Sequence, residues 1–370
     1  MGLYKPESDN VTISPEILGY KGLIALIATI RTKTQMTMKK LFISMFAVAA
    51  LAACSREETV VMPESMPIAF DNAFVNNATR ATDCTNGNLE NFGVYASVTN
   101  AADDSGLILT NELVKRENGK YVYGNLQYWV PGNTYNFVAI APGVGSCWTY
   151  RPTVAAANST LAQNGIIEFM NDDAAASQDL VFAYSKRQLD ANTNVSQEPV
   201  AMTFSHLLSR VAFKFDNTFA ASSNITFKVY GVTITNAVSD GKATVANGNV
   251  IDWEMVGSDT FERTFGEQSA QNVAIIAAGK SMTTEHFYFI PVAKKYTVKF
   301  KVDIYQAGVF TKTYEHEIDA TIDFEKGGSY SVKAALDQDN IGPTALERIE
   351  FKVETVNGWD PNGSNVSILP

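Results

Sequence analysis

The chain has 370 residues and carries 29 Lys/Arg against 39 Asp/Glu, a net charge of −10. A dispersed negative charge disfavours nucleic acid and anionic lipid as partners and favours solubility outside the cell. The length allows about two domains of ~150 residues each, with enough chain for real cores.

Residues 1–37 hold one apolar run, Gly22–Ile30, too short to span a bilayer. They read as an over-called start, because Met38 opens a complete leader by itself. In Met38–Cys54, MKKLFISMFAVAALAAC, two lysines precede thirteen uncharged residues and a close on Leu51-Ala52-Ala53-Cys54. A charged start, a short apolar centre and small residues before a cut make a secretory signal, here over residues 38–53. Its end in Cys resembles a bacterial lipobox. That resemblance implies acylation of Cys54, which becomes the mature N-terminus, anchored in the outer membrane by more than one acyl chain, as stable anchoring requires. Ser55-Arg56-Glu57-Glu58 resembles an acidic surface-export tag. Removing residues 1–53 takes away six basic and three acidic groups, leaving 23 and 36, a charge of −13. With Cys54 acylated, Cys84 and Cys147 are the one pair available for a disulfide, and buried thiols are an equal alternative.

Residues 54–80 read as a polar tether and a first strand containing Met66–Phe74. Phe92, Val94, Ala96 and Val98 then alternate at the period of a half-buried strand. Tyr121–Tyr123 and Leu126–Trp129 continue the theme, and Val130-Pro-Gly-Asn133 is a turn. Tyr135–Ile140, Ile166–Phe169 and Leu180–Tyr184 read as strands, and Ala155–Asn164 as a loop or short helix. After a polar connector at Asp190–Pro199, Val200–Phe215 resumes the alternation. It continues through Ile225–Tyr230, Val232–Ile234, Phe287–Ile290, Tyr296–Ile304 and a glycine turn feeding a strand at Phe324–Val332. Short strands at this spacing with few helical patterns predict an all-β chain of sandwiches. Trp129–Phe137 and Ile290–Val298 share the order apolar, Pro, turn, Tyr, strand. The expected division is an N-terminal β-sandwich over 81–195 and a C-terminal one over 196–370. The latter ends in an amphipathic strand, 348–356, with Ile349, Phe351 and Val353 on one face. That strand suits a groove in another subunit, or equally the edge of its own domain.

Taken in order, these features resemble the fimbrillin-like proteins of Bacteroidales, subunits of type V pili. The matching pieces are the lipobox at Cys54, Ile68-Ala-Phe70 before Thr79-Arg80-Ala81, and Leu89-Glu-Asn-Phe-Gly-Val-Tyr95. Phe204–Phe215, Phe324–Val332 and Ile349-Glu-Phe-Lys-Val353 with Gly358-Trp359 follow. The resemblance implies two transthyretin-like β-sandwich domains, lipoprotein export, and cleavage between Arg80 and Ala81 by an Arg-specific protease. Cutting there would release the first strand and open a groove for a neighbour's strand, with Ile349, Phe351 and Val353 as donor candidates. A cut at Arg56 would leave that strand in place. The implied partners are other pilus subunits and, through Cys54, the outer membrane. The implied place is the cell surface or an extracellular pilus, as a stalk, anchor or tip subunit.

Nothing in the chain reads as catalytic, cofactor-binding or metal-binding. His206, His286 and His316 fall in no zinc spacing, and His206 reads as a packed, hydrogen-bonded histidine. Asp190-Ala-Asn-Thr-Asn194 starts like a calcium loop, but Val195 and Ala201 stand where an EF-hand needs Gly and Glu. Gly143-Val-Gly145 is a turn, Asp103-Asp104 and Asp172-Asp173 are surface charge, and no Gly-x-Ser-x-Gly elbow occurs. The alternative function is a monomeric surface lipoprotein that binds a glycan or host protein through Trp129, Trp148, Trp253 or Trp359. Tryptophans scattered through β-motifs more often serve cores.

Overall fold

A computed structural model describes residues 66–75, 89–100, 102–143, 147–155, 159–171, 178–191, 198–341 and 348–355. The expected all-β class is what it has. The first half carries β1 (Phe70–Val75), β2 (Asn91–Thr99), β3 (Ser105–Glu117), β4 (Lys120–Val122), β5 (Thr134–Ala141), β6 (Trp148–Ala155), β7 (Ser159–Met170), β8 (Val181–Gln188) and β9 (Val200–His206). The second half carries β10 (Ser209–Asn217), β11 (Ile225–Val238), β12 (Asp240–Ala246), β13 (Asn249–Met255), β14 (Thr260–Phe265), β15 (Ser281–Thr283), β16 (Phe287–Phe289), β17 (Ala293–Gln306), β18 (Val309–Asp323), β19 (Ser329–Leu336) and β20 (Phe351–Thr355).

Seven strands close a barrel in the order β1-β4-β3-β2-β5-β8-β9. In the second half, β14-β11-β17-β18 faces a sheet of β15-β10-β19-β20, with β16 also on β10. Between these sheets lies a core rich in aromatics, among them Phe213, Phe215, Phe265, Phe300 and Tyr330. One arrangement recurs in both halves: the first strand runs parallel to a strand late in the same half, β1 beside β9 and β10 beside β19. The two similar segments also share a detail. The Tyr135 hydroxyl accepts a bond from the Val130 amide (2.8 Å), and the Tyr296 hydroxyl donates to the Val292 carbonyl (3.2 Å). Each ties its strand to the turn before it.

A fourth sheet, β13-β12-β7-β6, takes one hairpin from each half. β7 and β12 pair antiparallel from Asp240↔Met170 to Val245↔Gly165 and join the two halves through main-chain bonds. This sheet lies over the barrel wall and buries Tyr95, Val138, Ile140 and Phe182 against Tyr150, Ile167, Val245 and Trp253. It therefore corrects the expectation of a half-buried strand around Phe92: β2 and β5 are buried on both faces, one inside the barrel and one under the added sheet. The described part of Ala155–Asn164 is likewise strand, not the expected loop or short helix. Ala155 ends β6 and Ser159–Asn164 begin β7, with Val154 paired to Thr160. Ile225–Tyr230 and Val232–Ile234 are one strand, β11, whose register shifts around Gly231 at φ +61°. The division expected at 195/196 falls between β8 and β9, and β9 pairs with β8 and with β1.

Candidate functional site

The chain enters the barrel at Met66. Along residues 66–70, Ile68 and Phe70 are buried while Pro67 and Ala69 face out, the two-residue period that puts alternate side chains on opposite faces. On one flank the Ile68 amide donates to the Gln127 carbonyl (2.7 Å) and the Trp129 amide to the Met66 carbonyl (3.0 Å). On the other, the Val200 amide donates to the Ala69 carbonyl (2.7 Å). The Tyr123 hydroxyl donates to the Ile68 carbonyl (2.8 Å) and accepts the Gln127 amide (3.2 Å). Burial raises the Tyr123 pKa above the ordinary tyrosine value, partly offset by that amide, so the hydroxyl keeps the proton it donates.

Phe70 is the plug of this slot. Its ring meets Tyr123, Phe137 and Phe92 edge-on at 5.3, 5.8 and 6.2 Å. The walls also include Trp129, Leu89, Met202 and Phe204, all buried. Burying Ile68 and Phe70 contributes about 1.5–3 kcal/mol each. The main-chain pairing is poorer. β1 meets β4 only at Phe70↔Tyr121, and its parallel pairing with β9 shifts register between Asp71 and Phe74. Side chains, more than the ladder, therefore hold β1 in place.

Arg80, Ala81, Cys54 and Cys84 lie outside the described residues, Arg80 five positions beyond the end of β1. The donor candidates lie at the other end of the fold. β20 pairs antiparallel with β19 from Tyr330↔Thr355 to Ala334↔Phe351 and has no second strand partner among the described residues. Ile349 is buried, and half-buried Phe351 stacks edge-on against Phe213 (5.6 Å), Phe300 (6.0 Å) and Phe215 (6.4 Å). Between β18 and the chain leading into β20 runs a groove of about 810 Å³, lined by His316, Ile318, Ile349 and Phe351 among others. His316 stacks on Phe300 at 5.0 Å, and burial lowers its pKa.

His206 is packed, its Nδ1 2.7 Å from Asp179 Oδ2 in a buried pair near the β8–β9 junction. Among the described residues, no group of three or more His, Cys, Asp or Glu is placed to hold a metal ion. Trp129, Trp148 and Trp253 are core residues, with Trp148 bonded to the Pro142 carbonyl and Trp253 to that of Leu207. They are not an exposed aromatic platform, and Trp359 lies outside the described residues.

The family model described as fimbrillin-like matches residues 79–359, from four residues beyond the end of β1 through the donor candidates. The chain belongs to the fimbrillin-like family. Among solved structures, it is similar to a fimbrial protein from Bacteroides vulgatus, with 18% identity and a TM-score of 0.53. That match covers 79% of this chain and 99% of the other. Weaker matches are a putative cell adhesion protein from Bacteroides uniformis (15% identity, TM-score 0.42, 79% and 98% covered) and the fimbrial anchor protein Mfa2 from Porphyromonas gingivalis (10%, 0.34, 80% and 100%). No curated protein matches the chain. Membership makes this fimbrillin-like chain a fimbria-related protein of the cell surface, whose partners are other fimbrial subunits.

Proposed function

We propose that this fimbrillin-like protein is a structural subunit of a type V pilus supporting adhesion. It is exported as a lipoprotein on Cys54, trimmed between Arg80 and Ala81, and polymerised by strand exchange. In this reading its two β-units are transthyretin-like. The observation that carries it is the slot of β1: a short strand, weakly paired on both flanks, plugs an aromatic core through Ile68 and Phe70. Cleavage at Arg80 cuts the covalent link between that strand and the rest of the barrel. An incoming strand then gains main-chain bonds from both flanks and a pocket for an aromatic side chain, the physics of β-augmentation. Holding β1 in place until the surface is reached keeps an aggregation-prone edge covered.

β20 is the donor in this reading. Its second edge has no strand partner among the described residues, its apolar residues alternate, and Phe351 matches the aromatic pocket that Phe70 fills. Donation requires Ile349 and Phe351 to leave their own sandwich, so exchange is driven by replacing β1 and stays slow while β1 is attached. Among the family's ranks, the proposal covers stalk, anchor and tip, an anchor being the one that retains its lipid.

The test uses the chain from Ser55, without lipid. Brief treatment with an Arg-specific protease, N-terminal sequencing and an unboiled denaturing gel are compared. A new start at Ala81 with a ladder of multimers is expected. Resistance near Arg80 together with a stable monomer overturns the proposal in favour of a monomeric surface lipoprotein.

A further inference from the structure

Of the eleven large apolar residues exposed on the described surface, Val122, Leu126, Tyr128 and Val130 fall within nine positions of one another. Leu126 (51% exposed), Tyr128 (46%) and Val130 (51%) alternate with Gln127 and the buried Trp129, so they form one outward row on an extended segment. This is the segment whose main chain holds Met66 and Ile68, and exposed Pro67 sits directly opposite Tyr128. The row is thus one strand spacing, about 4.8 Å, from the point where the N-terminal tether joins the fold.

Eleven residues, 55–65, separate Cys54 from Met66. Fully extended, they and the flanking bonds reach at most about 40 Å. A compact chain of this size is about 50 Å across. A lipid on Cys54 therefore keeps the Met66 end of the molecule toward the bilayer and cannot reach around to present the opposite end. We infer that, in the lipidated precursor, Leu126, Tyr128 and Val130 rest on the headgroup region of the phospholipid leaflet that holds the acyl chains. This rests on the acylation of Cys54 proposed above. Tyrosine with flanking aliphatic residues suits that boundary, where one end of the ring is apolar and the other wet. The net charge of −13 after leader removal selects zwitterionic phospholipid over anionic lipid. Contact with the leaflet adds a second attachment to the acyl chains and ends when, after the cut at Arg80, an incoming strand displaces β1 and the body parts from its tether.

The test places a photo-crosslinking residue in the full lipidated chain, Tyr128→p-benzoylphenylalanine, reconstituted in phosphatidylcholine/phosphatidylethanolamine vesicles. Phe310→p-benzoylphenylalanine, an equally exposed residue in the second half, is the control. The expected result is a phospholipid adduct at 128 at least ten times more abundant than at 310, and lost in a Cys54→Ala chain. Mass analysis of the N-terminal peptide first establishes whether Cys54 carries lipid; its absence sinks the lipoprotein reading itself. With lipid present, no adduct at 128, equal adducts at both positions, or a crosslink at 128 to a second copy of the chain overturns the inference.

Discussion

Phe70→Ala is the substitution that isolates what holds β1 in the barrel. The ring is buried and touches three aromatic neighbours, so its loss removes transfer energy and leaves a cavity. Phe→Ala in a core costs about 3–5 kcal/mol. The lower part of that range, about 3–4 kcal/mol, applies here because β1 is tied to β4 at one pair only and can settle into the space. At 1.4 kcal/mol per factor of ten, the opening equilibrium of β1 rises roughly 100- to 1,000-fold. Amide hydrogen exchange reads that equilibrium directly. The Ile68 amide, bonded to Gln127, and the Val200 amide, bonded to Ala69, should lose protection by that factor. The amides of the β10–β19 ladder should hold theirs. An unchanged rate at Ile68 and Val200 would refute the plug. An equal loss in both halves would show that β1 cannot open by itself, and strand replacement would lose its starting point.

Four further outcomes follow from the same geometry. Phe351→Asp places a charge in the aromatic contacts of β20, so the protease-treated protein should start at Ala81 yet give no multimer ladder; a normal ladder removes β20 as donor. Ala307 adopts φ +50° in the β17–β18 turn ahead of Gly308, a left-handed conformation costing about 1–2 kcal/mol for most residues but readily visited by Asn. Ala307→Asn should thus raise the melting temperature by roughly 2–4 °C, and a fall would show that the turn is not strained at this position. Gly248→Ala should destabilise by about 1–3 kcal/mol, measured by thermal melting, because φ is +77° and a Cβ would lie 2.1 Å from the Tyr184 ring. Finally, burial lowers the His316 pKa, so the unfolded chain takes up a proton that the folded one resists. The stability this contributes is present above the ordinary histidine value near 6.5 and is lost as pH falls below it. His316→Leu should flatten urea midpoints between pH 7 and 5 relative to the parent; parallel curves would contradict the assignment.

Much of the fold was legible because alternation is a local property. Phe92–Val98, Tyr135–Ile140 and Tyr296–Ile304 announce β2, β5 and β17, and Ile68-Ala-Phe70 announces the inward pair that plugs the slot. The similarity of Trp129–Phe137 to Ile290–Val298 pointed to two tyrosines that do the same work in each half. Other elements gave no local sign. β18 presents Lys, Glu, Asp and Thr along an edge with a half-covered inner row, so its hydrophobic contrast is weak. Ser159–Asn164 looks like a loop because its strand character comes from partners, β6 on one side and the Ser97 hydroxyl bonded to the Ala162 amide on the other. The exposed row at Leu126, Tyr128 and Val130 reads from sequence as one more strand, and only packing distinguishes an outward apolar residue from a core one.

By itself, then, the sequence determined the β class, the charge, and which faces of several strands are apolar. The tertiary structure decided which strands meet. It set β1 parallel to β9, joined a hairpin from each half through β7 and β12, and thereby buried β2 on both faces. The reason is that side-chain periodicity specifies the two faces of a strand, whereas pairing runs through backbone amides and carbonyls that are chemically the same in every strand. Their choice of partner is settled only when the cores form, and with it the slot that Phe70 fills.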